Sequence, residues 1–309
     1  MNRDARIYVA GHTGLVGSAL VRRLQADGYE NLILRPSTSL DLRDQGHVNR
    51  FFAREEPEYV FLSAAKVGGI LANSERPAEF IRDNLLIEAN VIEAAYRCGT
   101  KKLLFLASSC CYPRLAPQPM REEYLLTGPP EPTNQAYAIA KLAGLELVRA
   151  YQAQHGFSAV SILPANVYGP GDHFDSGTAH VLPSLLRRFH EAKVTGVSEV
   201  VVWGSGTPRR ELIHVDDLAD ACLFVMEHHD GDLPLNVGTG EDVTIWQLAQ
   251  LVADVVGYRG TIRIDPSKPD GMPQKLLDVS RLAALGWKAK MPLWRGIKET
   301  YAWYLENMS

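Results

Sequence analysis

Short apolar runs alternate with amphipathic segments through the first half of the chain. Apolar, β-prone runs predict strands at residues 6–10, 31–34, 59–64, 103–108 and 159–164, with a further strand at 199–203. Apolar positions at helical spacing predict helices at 15–26, 46–55, 83–98, 136–154 and 180–192. Strands and helices in this alternating order predict an α/β fold with a doubly wound parallel sheet that is covered on both faces.

A glycine-rich turn follows the first predicted strand, and an amphipathic helix begins directly after it. The turn comprises Gly11, His12, Thr13, Gly14, Leu15, Val16 and Gly17. Glycines at such a turn let backbone N–H groups at a helix start approach a pyrophosphate. Strand, glycine turn and helix in this order are typical of a Rossmann-type dinucleotide-binding domain, although an ordinary glycine-rich turn is the alternative.

The end of the second predicted strand bears on the choice of dinucleotide. Arg35 follows the apolar run 31–34, at a position where NAD-binding chains usually carry an acidic residue for the ribose 2′-hydroxyl. A cation there suits a 2′-phosphate, so the sequence favours NADP(H) over NAD(H), with a solvated loop arginine as the alternative. Asp41 and Leu42, just after it, are plausible contacts for the adenine edge.

The pattern of predicted elements changes after Pro164: turns become frequent and the predicted helices and strands become shorter. We expect an NADP-binding Rossmann domain at residues 1–165 and a smaller α/β lobe, mainly at 166–309, that binds the substrate. The run 235–238 reads as another strand, so the segment at about 210–240 is expected to return to the first domain.

Composition narrows the class of protein. The chain has 309 residues, of which 46% are hydrophobic, enough for one large core and a smaller lobe. The net charge of −4 argues against a nucleic-acid partner, and no stretch has the pattern of a signal peptide or a membrane span. The cysteines show neither metal-ligand spacing nor a disulfide framework, so we expect a cytoplasmic protein without a bound metal. They are Cys98, Cys110, Cys111 and Cys222.

The candidate chemistry begins with Tyr137 and Lys141, four residues apart in the predicted helix 136–154. Residues at this spacing share one helix face, so the phenol and the ammonium group would project together. A nearby cation lowers the pKa of a phenol, which would let Tyr137 exchange a proton with a carbonyl or alcohol near neutral pH. A surface tyrosine and a solvated lysine produce the same pattern.

A second group of candidates follows the continuous apolar run 103–107. Ser108 and Cys110 stand at its carboxyl end, where open α/β sheets have their ligand crevice. Ser108 can donate a hydrogen bond to a substrate carbonyl oxygen, and Cys110 points the same way if the strand geometry persists. A cysteine beside a cation can be thiolate enough to abstract a proton, whereas a packing role is the alternative. His180, at a predicted helix start, fits a catalytic, structural or solvated role.

Together these segments resemble the extended short-chain dehydrogenase/reductase superfamily. The glycine turn and the Tyr137–Lys141 pair specify only that superfamily. More specific segments are similar to the family of GDP-L-fucose synthases, and the likeness extends from about residue 6 to about residue 307. These segments are Ala64–Ile70, Ser108–Cys110, Glu131–Asn134, Ser184–His190, Val202–Pro208 and Ser267–Gly271.

The resemblance implies an NADPH-dependent enzyme that acts on a GDP-linked sugar with a ketone at C4. It would epimerise C3 and C5 and then reduce C4, giving GDP-L-fucose. Cys110 would be the base, and His180 the acid that returns a proton on the opposite face. Ser108 and Tyr137 would hold O4, to which Tyr137 supplies a proton. Lys141 would lower the tyrosine pKa and hold the nicotinamide ribose.

The resemblance also implies contacts with the cofactor and the nucleotide. Beyond the glycine turn, the implied cofactor contacts are Arg35, Asp41, Leu42, Lys141, Pro164, Asn166, Val167 and His180. The implied substrate contacts are Arg188, Trp203, Arg210 and Asp270. Arginines suit a diphosphate and a tryptophan offers a flat face, although a solvated helix face and a core aromatic are the alternatives.

The chain departs from that family at Thr13 and Ser37, where some members carry basic residues that would serve a 2′-phosphate. Their absence leaves Arg35 as the main cation there.

A homodimer is expected through helices 83–98 and 136–154, which carry apolar residues beyond one face. Examples are Leu85, Ile87, Val91, Leu142 and Leu145.

Two other functions stay open from the residues alone. Another NAD(P)-dependent nucleotide-sugar epimerase or dehydratase would keep its cofactor bound and would not consume NADPH stoichiometrically. That enzyme needs no pair such as Cys110 and His180. A non-catalytic, dinucleotide-sensing protein on the same fold often lacks the tyrosine or the lysine, and both Tyr137 and Lys141 are present.

Overall fold

Strands and helices alternate along the chain, as the sequence predicts. The computed structural model describes residues 1–175, 179–268 and 270–308, so Pro269 of the segment Ser267–Gly271 lies outside it. The strands are β1 (Ile7–Ala10), β2 (Leu32–Ile33), β3 (Tyr59–Leu62), β4 (Lys102–Leu106), β5 (Ala159–Pro164), β6 (Asn166–Tyr168), β7 (Glu199–Trp203), β8 (Arg209–His214), β9 (Leu235–Val237), β10 (Asp242–Thr244), β11 (Thr261–Asp265) and β12 (Gln274–Lys275).

The helices include several that are longer than the sequence predicts. They are α1 (Leu15–Ala26), α2 (Gln45–Glu55), α3 (Ile70–Glu75), α4 (Pro77–Arg97), α5 (Gln135–His155), α6 (Val181–Thr195), α7 (Val215–His228), α8 (Ile245–Val256), α9 (Ser280–Ala284) and α10 (Leu293–Asn307). Short 3-10 helices cover Ser109–Cys111, Glu122–Tyr124 and Pro132–Asn134. In the described part of the chain, no helix is both long and apolar enough to cross a membrane.

A six-stranded parallel sheet in the order β2-β1-β3-β4-β5-β9 forms the larger core. Every residue of β1, β4 and β5 is buried, which explains why these strands read as continuous apolar runs. Helix α1 packs beside α7, while α2 packs on α4 and α4 on α5. Right-handed crossovers that run in opposite directions lie on opposite faces, so the two helix groups cover the two faces of the sheet. The predicted Rossmann-type fold is confirmed.

A second hydrophobic core lies among the later elements. Strand β8 pairs with β6 and β12 in parallel and with β10 antiparallel, and β7 pairs with β11. Buried residues of α6, α8 and α10, such as Phe189, Leu248 and Ile297, pack together here. Strand β9 leaves this region and pairs with β5 in the large sheet.

Two element boundaries differ from the prediction in ways that matter for the site. Strand β4 ends at Leu106 rather than at 108, because the Ser108 side chain accepts a hydrogen bond from the Cys110 N–H and caps the 3-10 helix Ser109–Cys111. Helix α4 starts at Pro77 rather than at 83, with the proline in the first turn, where its missing N–H costs nothing.

Candidate active site

One cleft with a cavity volume of about 1400 Å³ opens at the carboxyl ends of the large sheet, where ligands of doubly wound sheets bind. Residues of the second core form its other wall. Every site residue predicted from the sequence borders this cleft. They are Gly11, His12, Thr13, Gly14, Leu15, Val16, Gly17, Arg35, Asp41, Leu42, Ser108, Cys110, Tyr137, Lys141, Pro164, Asn166, Val167, His180, Arg188, Trp203, Arg210 and Asp270.

The glycine turn brings backbone close to the start of α1. Gly11 has a φ of +85°, and a Cβ there would lie 2.8 Å from the Ala64 backbone, so only glycine fits. Gly14 precedes the first helical residue, and no side chain caps the helix. The Nδ1 atom of His12 is buried without a hydrogen-bond partner among the described residues. The turn therefore offers unused donors and a helix N-terminus to an anionic group.

Two arginines border the cleft beyond this turn, and each is already paired. Arg35 lies 3.1 Å from Glu55 Oε1 and also donates to the Leu34 carbonyl at 3.0 Å. Arg43, which the sequence did not indicate, donates to both carboxylate oxygens of Asp41, at 2.9 and 2.8 Å. Hydrogen bonds from Arg43 lower the pKa of Asp41 to about 2. The expected adenine contact Asp41 therefore also positions a second cation.

Helix α5 places Tyr137 and Lys141 on the same face of the cleft. Lys141 is 2% exposed; its Nζ donates to the Leu106 carbonyl at 2.9 Å and lies 3.1 Å from Glu88 Oε1. The sequence predicts a lowered pKa for Tyr137, and the net direction in this structure is the opposite. Burial, the two cysteines and Glu88 raise the pKa of Tyr137 well above its ordinary value, against a hydrogen bond with Ser108. Burial is the largest of these causes, and the phenol stays protonated at neutral pH.

Cys110 lies among polar groups in the 3-10 helix that follows β4 and borders the cleft. Its Sγ accepts hydrogen bonds from Asn134 Nδ2 at 3.1 Å and from Lys275 Nζ at 3.3 Å. Burial raises the pKa of the Cys110 thiol, but Lys275, Ser108 and Asn134 outweigh it and lower the pKa below its ordinary value. Burial raises the pKa of the adjacent Cys111 instead. Of these two neighbours, Cys110 has the thiolate character that a base requires.

His180 borders the same cleft, directly before helix α6 of the second core. Its side chain keeps access to the open cleft, yet many protein atoms surround it. This partial desolvation, together with the charges of Lys275 and His173, lowers the pKa of His180. The imidazole is therefore mainly neutral at neutral pH, and it becomes a stronger acid once it is protonated.

Two partly buried arginines, Arg188 and Arg210, and an exposed indole border the cleft beside the second core. Burial lowers the pKa of both Arg188 and Arg210. Arg188 donates to the Val201 carbonyl, and Arg210 donates to the Met272 carbonyl at 2.7 Å, which fixes both guanidinium groups. Trp203 is 64% exposed, so it is not a core aromatic.

Asp270 anchors a neighbouring loop. Its carboxylate accepts the Ser205 N–H at 2.6 Å and the Ser205 hydroxyl at 2.8 Å. These bonds hold the turn that follows Trp203 at the rim of the cleft. At the inner end, Asn166 Nδ2 donates to the Glu211 carbonyl at 2.8 Å, which ties β6 to β8.

Sequence reasoning missed four residues that complete the site. Asn134 had a signal, because it lies in the segment Glu131–Asn134 that resembles the family. Glu88 is the only acidic residue in an otherwise apolar and amide stretch of α4. Lys275 and Arg43 had no signal, since nothing in their neighbourhoods distinguishes them from surface cations. Across the described residues, no cluster of three or more His, Cys, Asp or Glu side chains could hold a metal ion.

Comparisons with known proteins agree with this geometry. The sequence pattern of the NAD dependent epimerase/dehydratase family matches residues 7–238. GDP-L-fucose synthase 1 of Arabidopsis thaliana is 56% identical over 307 residues, covering 99% of this chain and 95% of that protein. A GDP-6-OMe-4-keto-L-xylo-heptose reductase from C. jejuni has a TM-score of 0.95 and 37% identity, covering 99% of both chains. A GDP-L-fucose synthetase from Naegleria fowleri bound to NADP has a TM-score of 0.91 and 31% identity, covering 99% of this chain and 96% of that one.

Proposed function

The chain belongs to the NAD dependent epimerase/dehydratase family, and from this premise we propose that it converts GDP-4-keto-6-deoxy-D-mannose to GDP-L-fucose. The enzyme epimerises C3 and C5 and then reduces C4 with NADPH. The resemblance to the GDP-L-fucose synthases within the extended short-chain dehydrogenase/reductases is confirmed. The observation that carries the proposal is the Cys110 thiol, which Lys275 and Asn134 activate in the same cleft as Tyr137.

The residues at the glycine turn fit NADP(H). The α1 N-terminus and His12, whose Nδ1 has no hydrogen-bond partner among the described residues, border the proposed place of a pyrophosphate, while Arg35 and Arg43 border that of a 2′-phosphate. When bound, the cofactor supplies the hydride for C4. We propose that Lys141, held from behind by the Leu106 carbonyl, binds the nicotinamide ribose.

Epimerisation needs a base and an acid on opposite faces of the sugar. A ketone at C4 acidifies the hydrogens at C3 and C5, so a thiolate can remove them. We assign this step to Cys110, whose pKa is lowered by its polar neighbours. His180 returns a proton from the other wall of the cleft, where a lowered pKa makes its protonated form a ready donor.

All steps share O4 as the atom on which negative charge develops. The Ser108 hydroxyl and the Tyr137 phenol would donate hydrogen bonds to this oxygen and stabilise the enolate. During reduction Tyr137 transfers its proton to O4. A phenol whose pKa is raised is almost wholly protonated at neutral pH, which suits a proton donor.

The GDP moiety would lie along the second core. Arg188 and Arg210 are fixed by backbone carbonyls and can form bidentate hydrogen bonds with a diphosphate. The exposed face of Trp203 can pack against the sugar nucleotide. In this proposal, residues 1–165 with the returning strand β9 bind the cofactor, and residues 166–309 mainly bind the substrate.

We further propose a cytoplasmic homodimer that pairs α4 and α5 across a two-fold axis. Leu85 and Ile139 are 38% and 40% exposed on these helices, which supports an apolar seam. Val91 and Leu145, expected in the seam, are instead 0% and 8% exposed and belong to the core. Sedimentation velocity at micromolar concentration should give a dimer, and a monomer would contradict this proposal.

The two rival functions predict different cofactor behaviour. An epimerase or dehydratase that retains its cofactor would leave the NADPH concentration unchanged, and a sensing protein would bind without turnover. The test is NADPH consumption with GDP-, dTDP- and UDP-linked 4-keto-6-deoxy sugars. We expect stoichiometric consumption with the GDP-linked sugar and formation of GDP-L-fucose; NADPH that remains unconsumed would overturn the proposed function.

A further inference from the structure

Glu211 is a buried carboxylate of strand β8 to which the mechanism above gives no role. It is 1% exposed and lies next to Arg210, which borders the cleft. Side chains alternate along a strand, so Glu211 points to the other side of β8. Its partners are backbone N–H groups: Thr239 and Gly240 each donate to Oε1 at 2.7 Å, and Leu277 donates to Oε2 at 2.7 Å. These bonds compensate the burial of the charge and join two distant chain segments.

The backbone around this carboxylate is shaped to admit it. Gly238 follows β9 directly, and a Cβ there would lie 2.7 Å from the Glu211 Cδ and would overlap Oε1. The absence of a side chain at Gly238 therefore lets the turn between β9 and β10 close over the carboxylate. Glu211 connects this turn with the chain that follows β12.

The segment that Leu277 belongs to carries Lys275. Strand β12 has only two residues, and its pairing with β8 ends at Lys275. Beyond that point the Leu277 N–H no longer takes part in the ladder and donates to the Glu211 side chain instead. A side chain of β8 thus continues the hold on this segment where the strand pairing stops.

The other edge of the same segment is held from residues 118–120. Leu276 donates its N–H to Gln118 Oε1 at 2.9 Å. Met120 donates to the Leu276 carbonyl at 2.7 Å and accepts from the Asp278 N–H at 2.9 Å. The backbone after Lys275 is therefore fixed on one edge by Gln118 and Met120 and on the other by Glu211.

This anchorage matters because of what Lys275 contacts. Its Nζ lies 3.3 Å from Cys110 Sγ, and the side chain is 9% exposed. A lysine carries its ammonium group on a flexible four-carbon stem, and the attraction between charges weakens with distance. The ammonium therefore stays at the thiol only while the backbone that bears it is held in place.

We propose that Glu211 and Gln118 are positioning residues for proton abstraction: they fix the two edges of the segment after β12 and so hold the Lys275 ammonium against the Cys110 thiol. Glu211 acts through Lys275 and not through its own charge. Loss of a negative charge would by itself lower the pKa of a nearby thiol, whereas displacement of the lysine raises it, so the direction of the change separates the two effects. This role rests on the proposed function of the cleft.

The first test measures the reactivity of Cys110 without substrate or cofactor. The rate of alkylation by iodoacetamide is recorded against pH in the wild type and in Glu211→Gln, with Cys110→Ser as the blank for the other thiols. The amide has one acceptor oxygen, so it cannot serve both the turn at 239–240 and the Leu277 N–H. The pH midpoint should rise by about 0.5–1 unit. An unchanged or lowered midpoint would overturn the proposal.

The second test asks whether Glu211 acts through Lys275. The same titration is carried out on Lys275→Met and on the double variant Glu211→Gln/Lys275→Met. Residues that act through one contact are not additive, so the double variant should have the midpoint of Lys275→Met alone. A further rise of equal size in the double variant would show that Glu211 acts independently of the lysine, which would overturn the proposal.

Asp217→Asn is the matched control. Asp217 is 8% exposed, does not border the cleft, and accepts the N–H groups of Lys290 and Met291 at 3.0 and 2.8 Å. The variant makes the same charge change at a buried carboxylate that holds backbone, and it should leave the midpoint of Cys110 unchanged. A rise equal to that of Glu211→Gln would show a general loosening of the fold and overturn the specific role.

Gln118→Ala keeps the proposal testable if near-UV circular dichroism shows that Glu211→Gln does not fold. The side chain of Gln118 is only partly buried, and its loss frees the Leu276 N–H on the other edge of the same segment. The midpoint of Cys110 should rise in this variant too, and a wild-type midpoint would overturn the proposal. A wild type that consumes no NADPH refutes the function of the cleft, whereas the alkylation still decides how Cys110 is held.

Discussion

Replacing Lys275 by methionine should slow proton abstraction by removing the cation that faces Cys110. The ammonium lies 3.3 Å from Cys110 Sγ, and Lys275 is only 9% exposed, so solvent screens this contact weakly. Methionine has a similar length and no charge. Asn134 remains as a neutral donor at 3.1 Å. Without the positive charge of Lys275, the effect of burial on the thiol is less compensated, so the pKa of Cys110 rises.

The size of the effect follows from the lost hydrogen bond. A hydrogen bond to a charged group contributes about 1.5–3 kcal/mol, which corresponds to about a 10- to 150-fold smaller thiolate fraction near neutral pH. Because the thiolate is the reactive form, the rates of exchange at C3 and C5 should fall by a similar factor. The loss should shrink as the pH is raised, since deprotonation then proceeds without the lysine.

Alkylation of Cys110 by iodoacetamide measures the thiolate directly. The second-order rate is recorded against pH in the wild type and in Lys275→Met, with Cys110→Ser as the blank for the other thiols. Lys290→Met removes an exposed lysine that pairs with Asp220 at 3.5 Å, and it should behave like the wild type. An unchanged pH midpoint in Lys275→Met would refute the electrostatic role of this lysine.

Three further predictions address the acid, the cofactor and stability. Tyr137→Phe should reduce NADPH consumption by a factor on the order of 10²–10⁴ and hardly change NADPH binding by fluorescence titration; near-wild-type turnover would contradict the role of the phenol. Arg35→Ala should narrow the preference for NADPH over NADH by about 5- to 30-fold, less than for a free arginine because Glu55 competes for the guanidinium; a wild type without this preference would refute the prediction. Burial raises the pKa of Asp172 to about 7, above its unfolded value, so its ionisation destabilises the fold as the pH rises from about 4 to about 7. Asp172→Asn should therefore be more stable than the wild type by about 1–3 kcal/mol in urea unfolding at about pH 8, with little difference at about pH 4, and equal stability at both pH values would argue against a buried, ionising carboxyl.

Strands β1 and β5 were predictable because their burial is uniform, and helix α1 because its buried residues lie at helical spacing. In β1 and β5 every residue faces a packed layer, so each reads as an unbroken apolar run. The start of α4 was missed because residues 77–82 combine a proline with charged side chains, which obscures the helical period although proline is favoured in a first turn.

The parts of the candidate site that depend on neighbouring residues in the sequence were predictable. Contacts between residues far apart in the sequence were not. Spacing alone aligned Tyr137 with Lys141 on one helix face. The pairing of Lys275 with Cys110 joins positions 165 residues apart, and it depends on a two-residue strand that no periodicity reveals. The pKa of Tyr137 was predicted in the wrong direction because burial of the phenol, the largest cause of the raised pKa, follows from the fold and not from the spacing along one helix.

The central claim is that one cleft uses separate groups for epimerisation and for reduction, and Cys110→Ser tests it most directly. The variant is supplied with GDP-4-keto-6-deoxy-D-mannose and NADPH in deuterated water, and the product is examined by NMR. We predict no deuterium at C3 or C5 and slow reduction to a GDP-6-deoxyhexose other than GDP-L-fucose, whereas Cys98→Ser, outside the cleft, should behave like the wild type. Deuterium at both carbons at the wild-type rate in Cys110→Ser would contradict the account.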